Sequence, residues 1–258
     1  TLNPFRFYPS YMEIADLSLE DRVEIMKRED FREKLLQEKG VSINPLVDEI
    51  VTSYGKMFKL GEPANYEPDT KDSFKSLADS SNMTAEEIAY ESMLEKEGKA
   101  LIYHPLFNYQ TGDLSLVEKM LKHPYTISGL GDAGAHCGAI SDASFPTTLV
   151  QHWSRDRTKG EKLPLETVIK MQTSETANLL GIEDRGVIEE GYKADINVID
   201  YEGLTLHEPE IVNDLPAGGR RLVQKASGYD YTIVSGEIAF IKGEATGILN
   251  GRLIRNSH

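Results

Sequence analysis

Asp132 stands in the segment GLGDAGAHCG, residues 129–138, between glycines and four positions before His136. A carboxylate so placed can ligate a metal ion, accept a proton from metal-bound water, or do both. The flanking glycines let backbone approach a ligand closely and reach positive φ. The plainer role for the same residue is to cap the next turn through its side chain. For His136 the open roles are metal ligand, electrophile, substrate contact, or a loop histidine bonded to neighbouring backbone. His104 closes the apolar run KALIYH (99–104) and is a comparable candidate. His152, beside Trp153 on an amphipathic stretch, reads as packing, and His123, His207 and His258 read as surface or turn residues. There is no His-x-His, His-Glu-x-x-His or other close histidine pair. Also absent are the Gly-x-Ser-x-Gly nucleophile elbow and the dinucleotide and P-loop glycine patterns. The chain therefore offers one good base or ligand, where a metallohydrolase centre needs three or more protein ligands.

The elements that must position these residues follow from spacing. Residues 1–98 read as mostly helical. Ser18 with Asp21, and Thr84 with Glu87, form capping boxes that satisfy free N–H groups at helix starts. Val23, Met26, Leu35 and Leu36 continue the first run toward Gly40, and the second helix extends to about Glu97. KLGEPANYEPDTKDS, about 59–73, is expected to be a polar surface loop. From 99 the rhythm changes to strand (99–104), loop, helix (about 113–122), strand (125–131), loop, helix (145–156). That order is the β-α-β-α pattern of a parallel sheet or barrel, and it sets Asp132 and His104 at strand ends, on one rim. Two more helices follow, one opening at Pro164 and one capped by Ser174 and ending at Gly181. Beyond it ADINVID, GRRLVQKA, YDYTIVS and EIAFIKG read as strands of a small antiparallel β domain, with a tight turn at Gly236.

Composition bounds the rest. The chain has 258 residues, a net charge of −14, 40% hydrophobic and 27% charged residues, enough for a large buried core. The acidic balance opposes nucleic acid or an anionic membrane surface as partner. No stretch approaches the ~18–20 apolar residues that cross a bilayer. Cys137 is the single cysteine, so there is no intrachain disulfide and no cysteine metal cluster, which sets the expectation of a cytoplasmic protein. The start, TLNPFRFYPSYME, has neither the basic and apolar regions of a signal peptide nor an initiator Met, so further sequence upstream is expected.

GLGDAGAHCGAISDASFPTTLVQHW (129–153) and TSETANLLGIEDRGVIEEGYKADINVID (173–200) together resemble the C-terminal half of metal-dependent amidohydrolases. The D-aminoacylase branch, the N-acyl-D-amino-acid deacylases, is nearest. The pattern is carried by Thr173 or Thr176, Ala177, Leu180, Gly181, Gly186, Ile188, Gly191, Ala194 and Asp195, and the ending GEATGILNGRLIR resembles that branch too. The resemblance implies an α/β chain: the C-terminal portion of a (β/α)8 metal-dependent hydrolase barrel over 1–185, then a small antiparallel β-sandwich domain over 186–258 that both chain ends build. It implies that Asp132 is both catalytic carboxylate and metal ligand, taking a proton from the attacking water and delivering it to the leaving nitrogen. The remaining ligands of that family would lie upstream of Thr1, so the isolated chain is expected to be inactive, and zinc suits such His and carboxylate ligands. Here Gly131-Asp132-Ala133 stands where the branch has Ser-Asp-Gly, and SFPTTLVQHW stands where a His-Pro-Arg element is expected. The substrate thus stays open among an acyl-D-amino acid, another acylated amine and a cyclic amide, with His136, His104 and Asn108 as substrate-contact candidates. The expected activity is hydrolysis of a non-peptide carbon–nitrogen bond in a small-molecule acylated amine or amino acid. The competing reading is a catalytically silent fragment or binding module that needs an N-terminal partner chain or a second copy of itself.

Overall fold

The computed structural model describes residues 2–129, 131, 138 and 142–253. Its contacts divide the chain into two units, one of residues 2–116 with 210–221, the other of 117–209 with 222–253. Among the described residues no helix is long and apolar enough to cross a membrane.

The first unit opens with α1 (Pro9–Ile14), α2 (Leu19–Met26), α3 (Glu29–Gln37) and α4 (Pro45–Thr52). The Ser18 side chain accepts from the Asp21 N–H at 3.1 Å, as its spacing predicts. The helical run expected from there to Gly40 is two helices, not one, because Arg28 is extended between them (φ −78°, ψ 131°). The break lets Met26 and Leu35 turn into one core with Phe5, Phe74, Ala89 and Tyr90. Next come β1 (Phe58–Lys59), α5 (Phe74–Asp79), α6 (Ala85–Gly98) and β2 (Ile102–Tyr103). α6 starts on the full capping box: Thr84 Oγ1 accepts from the Glu87 N–H at 3.2 Å, and Glu87 Oε2 accepts from the Thr84 N–H at 2.7 Å. The Tyr90 hydroxyl of α6 donates to the Met26 carbonyl, tying α6 to α2. The stretch 59–73 is irregular, as expected, but its centre is not surface. Glu67 is buried and its Oε1 accepts from the Leu114 N–H at 2.8 Å.

The expected strand 99–104 narrows to β2, which pairs antiparallel with β1 (Phe58 opposite Tyr103, Lys59 opposite Ile102). The expected strand 125–131 is not a strand over 125–129, and Tyr125 is 92% exposed there. A strand needs neighbours for its N–H and C=O groups, and the described residues offer this segment none.

The division between the units falls within α7 (Ser115–Leu121). The second unit continues with α8 (Phe145–Thr148), which runs on as a π-helix over Leu149–Asp156, then α9 (Leu165–Gln172) and α10 (Ser174–Leu179). The strands follow: β3 (Ile196–Ile199), β4 (Thr205–Leu206), β5 (Glu210–Leu215), β6 (Gly219–Val223), β7 (Ala226–Ser227), β8 (Tyr229–Val234), β9 (Glu237–Ile241) and β10 (Glu244–Ala245). β5 and β6 pair with each other, and most of that hairpin groups with the first unit. The main sheet has the order β10-β9-β8-β3, and β4 pairs with β7; all of these pairings are antiparallel. The antiparallel character expected beyond Gly181 is therefore present. α10 departs from expectation in its cap: Thr173 occupies the N-cap without a side-chain cap bond, and Ser174 is the first helical residue.

Candidate functional site

Asp132 and His136 lie outside the described residues; the frame on either side of them does not. The Ser128 hydroxyl donates to the Met171 carbonyl at the end of α9, 3.1 Å away. Gly131 lies so close to Asp142 that a Cβ on it would fall 2.9 Å from the Asp142 carbonyl oxygen. Gly131 and Asp142 are thus in close contact, and only a residue without a side chain allows that approach. Asp142 then starts the next helix, its carbonyl accepting from the Phe145 N–H at 3.1 Å, while Ser144 Oγ donates to Gln224 Oε1 at 2.6 Å. α9, the start of α8 and the segment after β6 therefore hold the base of the segment that carries Asp132.

The motif of residues 173–195 has a local physical account. α10 ends in a Schellman motif, with the Ile182 N–H bonded to the Ala177 carbonyl at 2.9 Å and the Gly181 N–H to the Asn178 carbonyl at 3.1 Å. Gly181 takes φ +66° to close it. Gly186 (φ +92°) then packs onto α10, where a Cβ would meet Ser174 Cα at 2.9 Å and Ala177 Cβ at 3.1 Å. Asp195 Oδ1 accepts from the Ser235 N–H at 2.7 Å and its Oδ2 from Arg185 at 3.0 Å, so this acid clamps the β8–β9 turn.

His104 and Asn108 belong to the first unit, on the segment that follows β2. The Tyr103 hydroxyl donates to the Tyr66 carbonyl at 3.3 Å, and the buried Tyr109 donates to the Pro68 carbonyl with its ring edge-on to Phe58. These two tyrosines pin both ends of 104–108. Between them both ring nitrogens of His104 are buried, with no hydrogen-bond partner among the described residues. Burial holds the imidazole pKa below its ordinary value; its own backbone and Glu49 oppose that shift and Lys56 adds to it. Asn108 takes the left-handed conformation at φ +60°, which asparagine tolerates better than most residues, and Phe107 beside it is 76% exposed.

One cluster of the second unit was not visible as such in the sequence. Arg157 is fully buried, its guanidinium 4.4 Å above the Trp153 ring. Its Nη1 donates to Glu118 Oε2 at 2.5 Å and to the Glu161 carbonyl at 3.0 Å. Lys122 also bonds Glu118, at 2.7 Å. The signal available beforehand was an arginine four residues after the single tryptophan, which is one helical turn. Arg155 caps the carbonyls of Tyr201, Glu202 and Leu204, and Gln151 Oε1 accepts from the Leu206 N–H at 2.7 Å, so the π-helix anchors the segment before β4.

Among the described residues no group of three His, Cys, Asp or Glu side chains is placed to hold a metal ion. The model of the Amidohydrolase family matches residues 78–240, more than half of the chain, and the chain belongs to that family. It is also similar to the 5-methylthioadenosine/S-adenosylhomocysteine deaminase of Halothermothrix orenii, 31% identical over 157 residues. That match takes in 59% of this chain and 31% of the deaminase, so the chain spans about a third of the length of that curated relative. No solved structure matches it.

Proposed function

We propose that this chain is the C-terminal part of a metal-dependent hydrolase that cleaves a non-peptide carbon–nitrogen bond in a small molecule. The observation that carries the reading is the family match over 78–240, which takes in Asp132 and the whole motif of 173–195. Its finer form is an N-acyl-D-amino-acid deacylase, supported by the resemblance of 129–153 and of the chain's ending. In that form 1–185 belong to a (β/α)8 barrel and 186–258 to a β-sandwich, and a single cysteine is consistent with work in a reducing, cytoplasmic compartment. Deamination of a methylthioadenosine-like nucleoside is the second reading, favoured by the 31% identity to the deaminase. Both reactions add water across a carbon bonded to nitrogen, so both ask the same of Asp132.

Asp132 holds the proton released by the attacking water and passes it to the departing nitrogen, which must leave as an amine or ammonia. In this reading His136, His104 and Asn108 are the substrate-contact candidates. Zinc, when bound, supplies Lewis acidity and lowers the pKa of water. In this reading Asp132 is this chain's contribution to such a centre, and the remaining ligands belong to the complete enzyme. Asp132→Asn in the complete polypeptide is expected to abolish ammonia or amine release from N-acyl-D-amino acids or methylthioadenosine, with the thermal transition unchanged. Retained turnover refutes the role, and the substrate that is turned over decides between the two readings.

A further inference from the structure

We propose that His104 is an acid-operated latch on the segment His104–Asn108: neutral, it holds the segment closed, and protonated, it must swing to water and release it. The latch rests on where the ring sits. Both nitrogens are buried without a partner among the described residues, and a buried donor or acceptor without a partner is destabilising. Neutral imidazole bears that as one donor and one acceptor. The imidazolium would bear two donors and a charge in the same place, which is the more expensive state to bury.

The surrounding charges do not rescue the cation. Glu49 of α4 and Lys56 of the turn after it are the charged side chains that act on the ring, and they already pair with each other at 3.4 Å. A protonated His104 and Lys56 would therefore compete for one carboxylate. Lys59 of β1, the strand beside β2, is itself a cation, and it already pairs with the Glu95 carboxylate. The cheapest relief is for the ring to leave. Tyr103 and Tyr109 hold the flanks of the segment through the carbonyls of Tyr66 and Pro68, and Leu106, Phe107 and Asn108 between them are exposed. The stretch free to move is thus the one between the two tyrosines. If His104 and Asn108 contact substrate, acid weakens substrate binding through this release; that consequence rests on the proposed function, the latch itself does not.

Hydrogen exchange followed by mass spectrometry on the whole chain tests it at pH 7.5 and 5.5, with rates normalised to intrinsic chemical exchange. Peptides covering 102–112 are expected to exchange several-fold faster in acid, while those covering β8 and β9 stay constant. In His104→Phe, which keeps a ring and removes the titrating nitrogens, the acid effect is expected to vanish. No acid effect in the native chain, or the same effect in His104→Phe, overturns the proposal. If the variant does not fold, the C2 proton of His104 is titrated by NMR in the native chain. A midpoint below that of an ordinary histidine supports the latch, and one at or above it overturns it. None of these readouts needs turnover, so failure of the proposed activity and failure of the latch are distinguishable.

Discussion

Gly160→Ala is the substitution that tests how the second unit is held together. A Cβ at Gly160 would lie 2.6 Å from Arg157 Nη2 and 2.7 Å from its Cζ and Nη1. Ordinary contact begins near ~3.4 Å, so the guanidinium, itself buried, must retreat by roughly 0.7 Å or more. Retreat disturbs three contacts together: the stack on Trp153 at 4.4 Å, the bond to Glu118 at 2.5 Å and the bond to the Glu161 carbonyl at 3.0 Å. Overpacking by one methyl costs about 1–3 kcal/mol. Partial loss of a charge-assisted bond moves the sum to the upper part of that range, so ~2–3 kcal/mol is expected. For a unit of this size that corresponds to a fall in Tm of roughly 5–10 °C. The chain has a single tryptophan, so its fluorescence reports Trp153 directly, both the shift in emission as the guanidinium moves and the unfolding midpoint. In an Arg157→Lys background, which lacks the planar fork, the same glycine change is expected to cost less, a non-additivity that ties the effect to this pair. A Tm within about 1 °C of the native chain with unchanged emission would refute the argument.

Other outcomes follow from the same geometry. The hydrogen bonds from Lys122 and then Arg157 hold the Glu118 carboxyl below the usual carboxylate range. A depressed folded pKa gives stability that is full above the unfolded value, about 4.3, and is lost as pH falls through the folded value. Glu118→Gln is expected to flatten that acid slope in Trp153-monitored unfolding, and an unchanged slope refutes the coupling. Gly186→Ala places a methyl against Ser174 and Ala177 at φ +92° and is expected to lower the unfolding midpoint of the second unit, read by denaturant titration. An unaltered midpoint there would refute the packing account of the motif glycine.

Local signals were legible in the sequence because they are satisfied within a few residues. The side-chain cap at Ser18, the capping box at Thr84, the helix stop at Gly181 and the turn at Gly236 all involve groups close along the chain. The strands β8, β9 and β10 and the pair β5–β6 were readable for a related reason, since each pairs with the strand next to it in sequence, whereas β3 reaches β8 and β4 reaches β7 across intervening strands. Sequence alone also placed Asp132 as the residue to watch and, by resemblance, reached the family to which the chain belongs. Pairing over distance was another matter. KALIYH is apolar enough for a long strand, yet only two of its residues pair, because β1 presents only two opposite them. YTIS has strand propensity, yet among the described residues no strand pairs with it. That Glu67 is buried, that Arg157 lies under Glu118 and over Trp153, and that the nitrogens of His104 are shut away from water were decided by tertiary structure alone. Each depends on residues between 4 and 55 positions apart meeting in space. Burial is a property of what surrounds a side chain, and no spacing along the chain carries it.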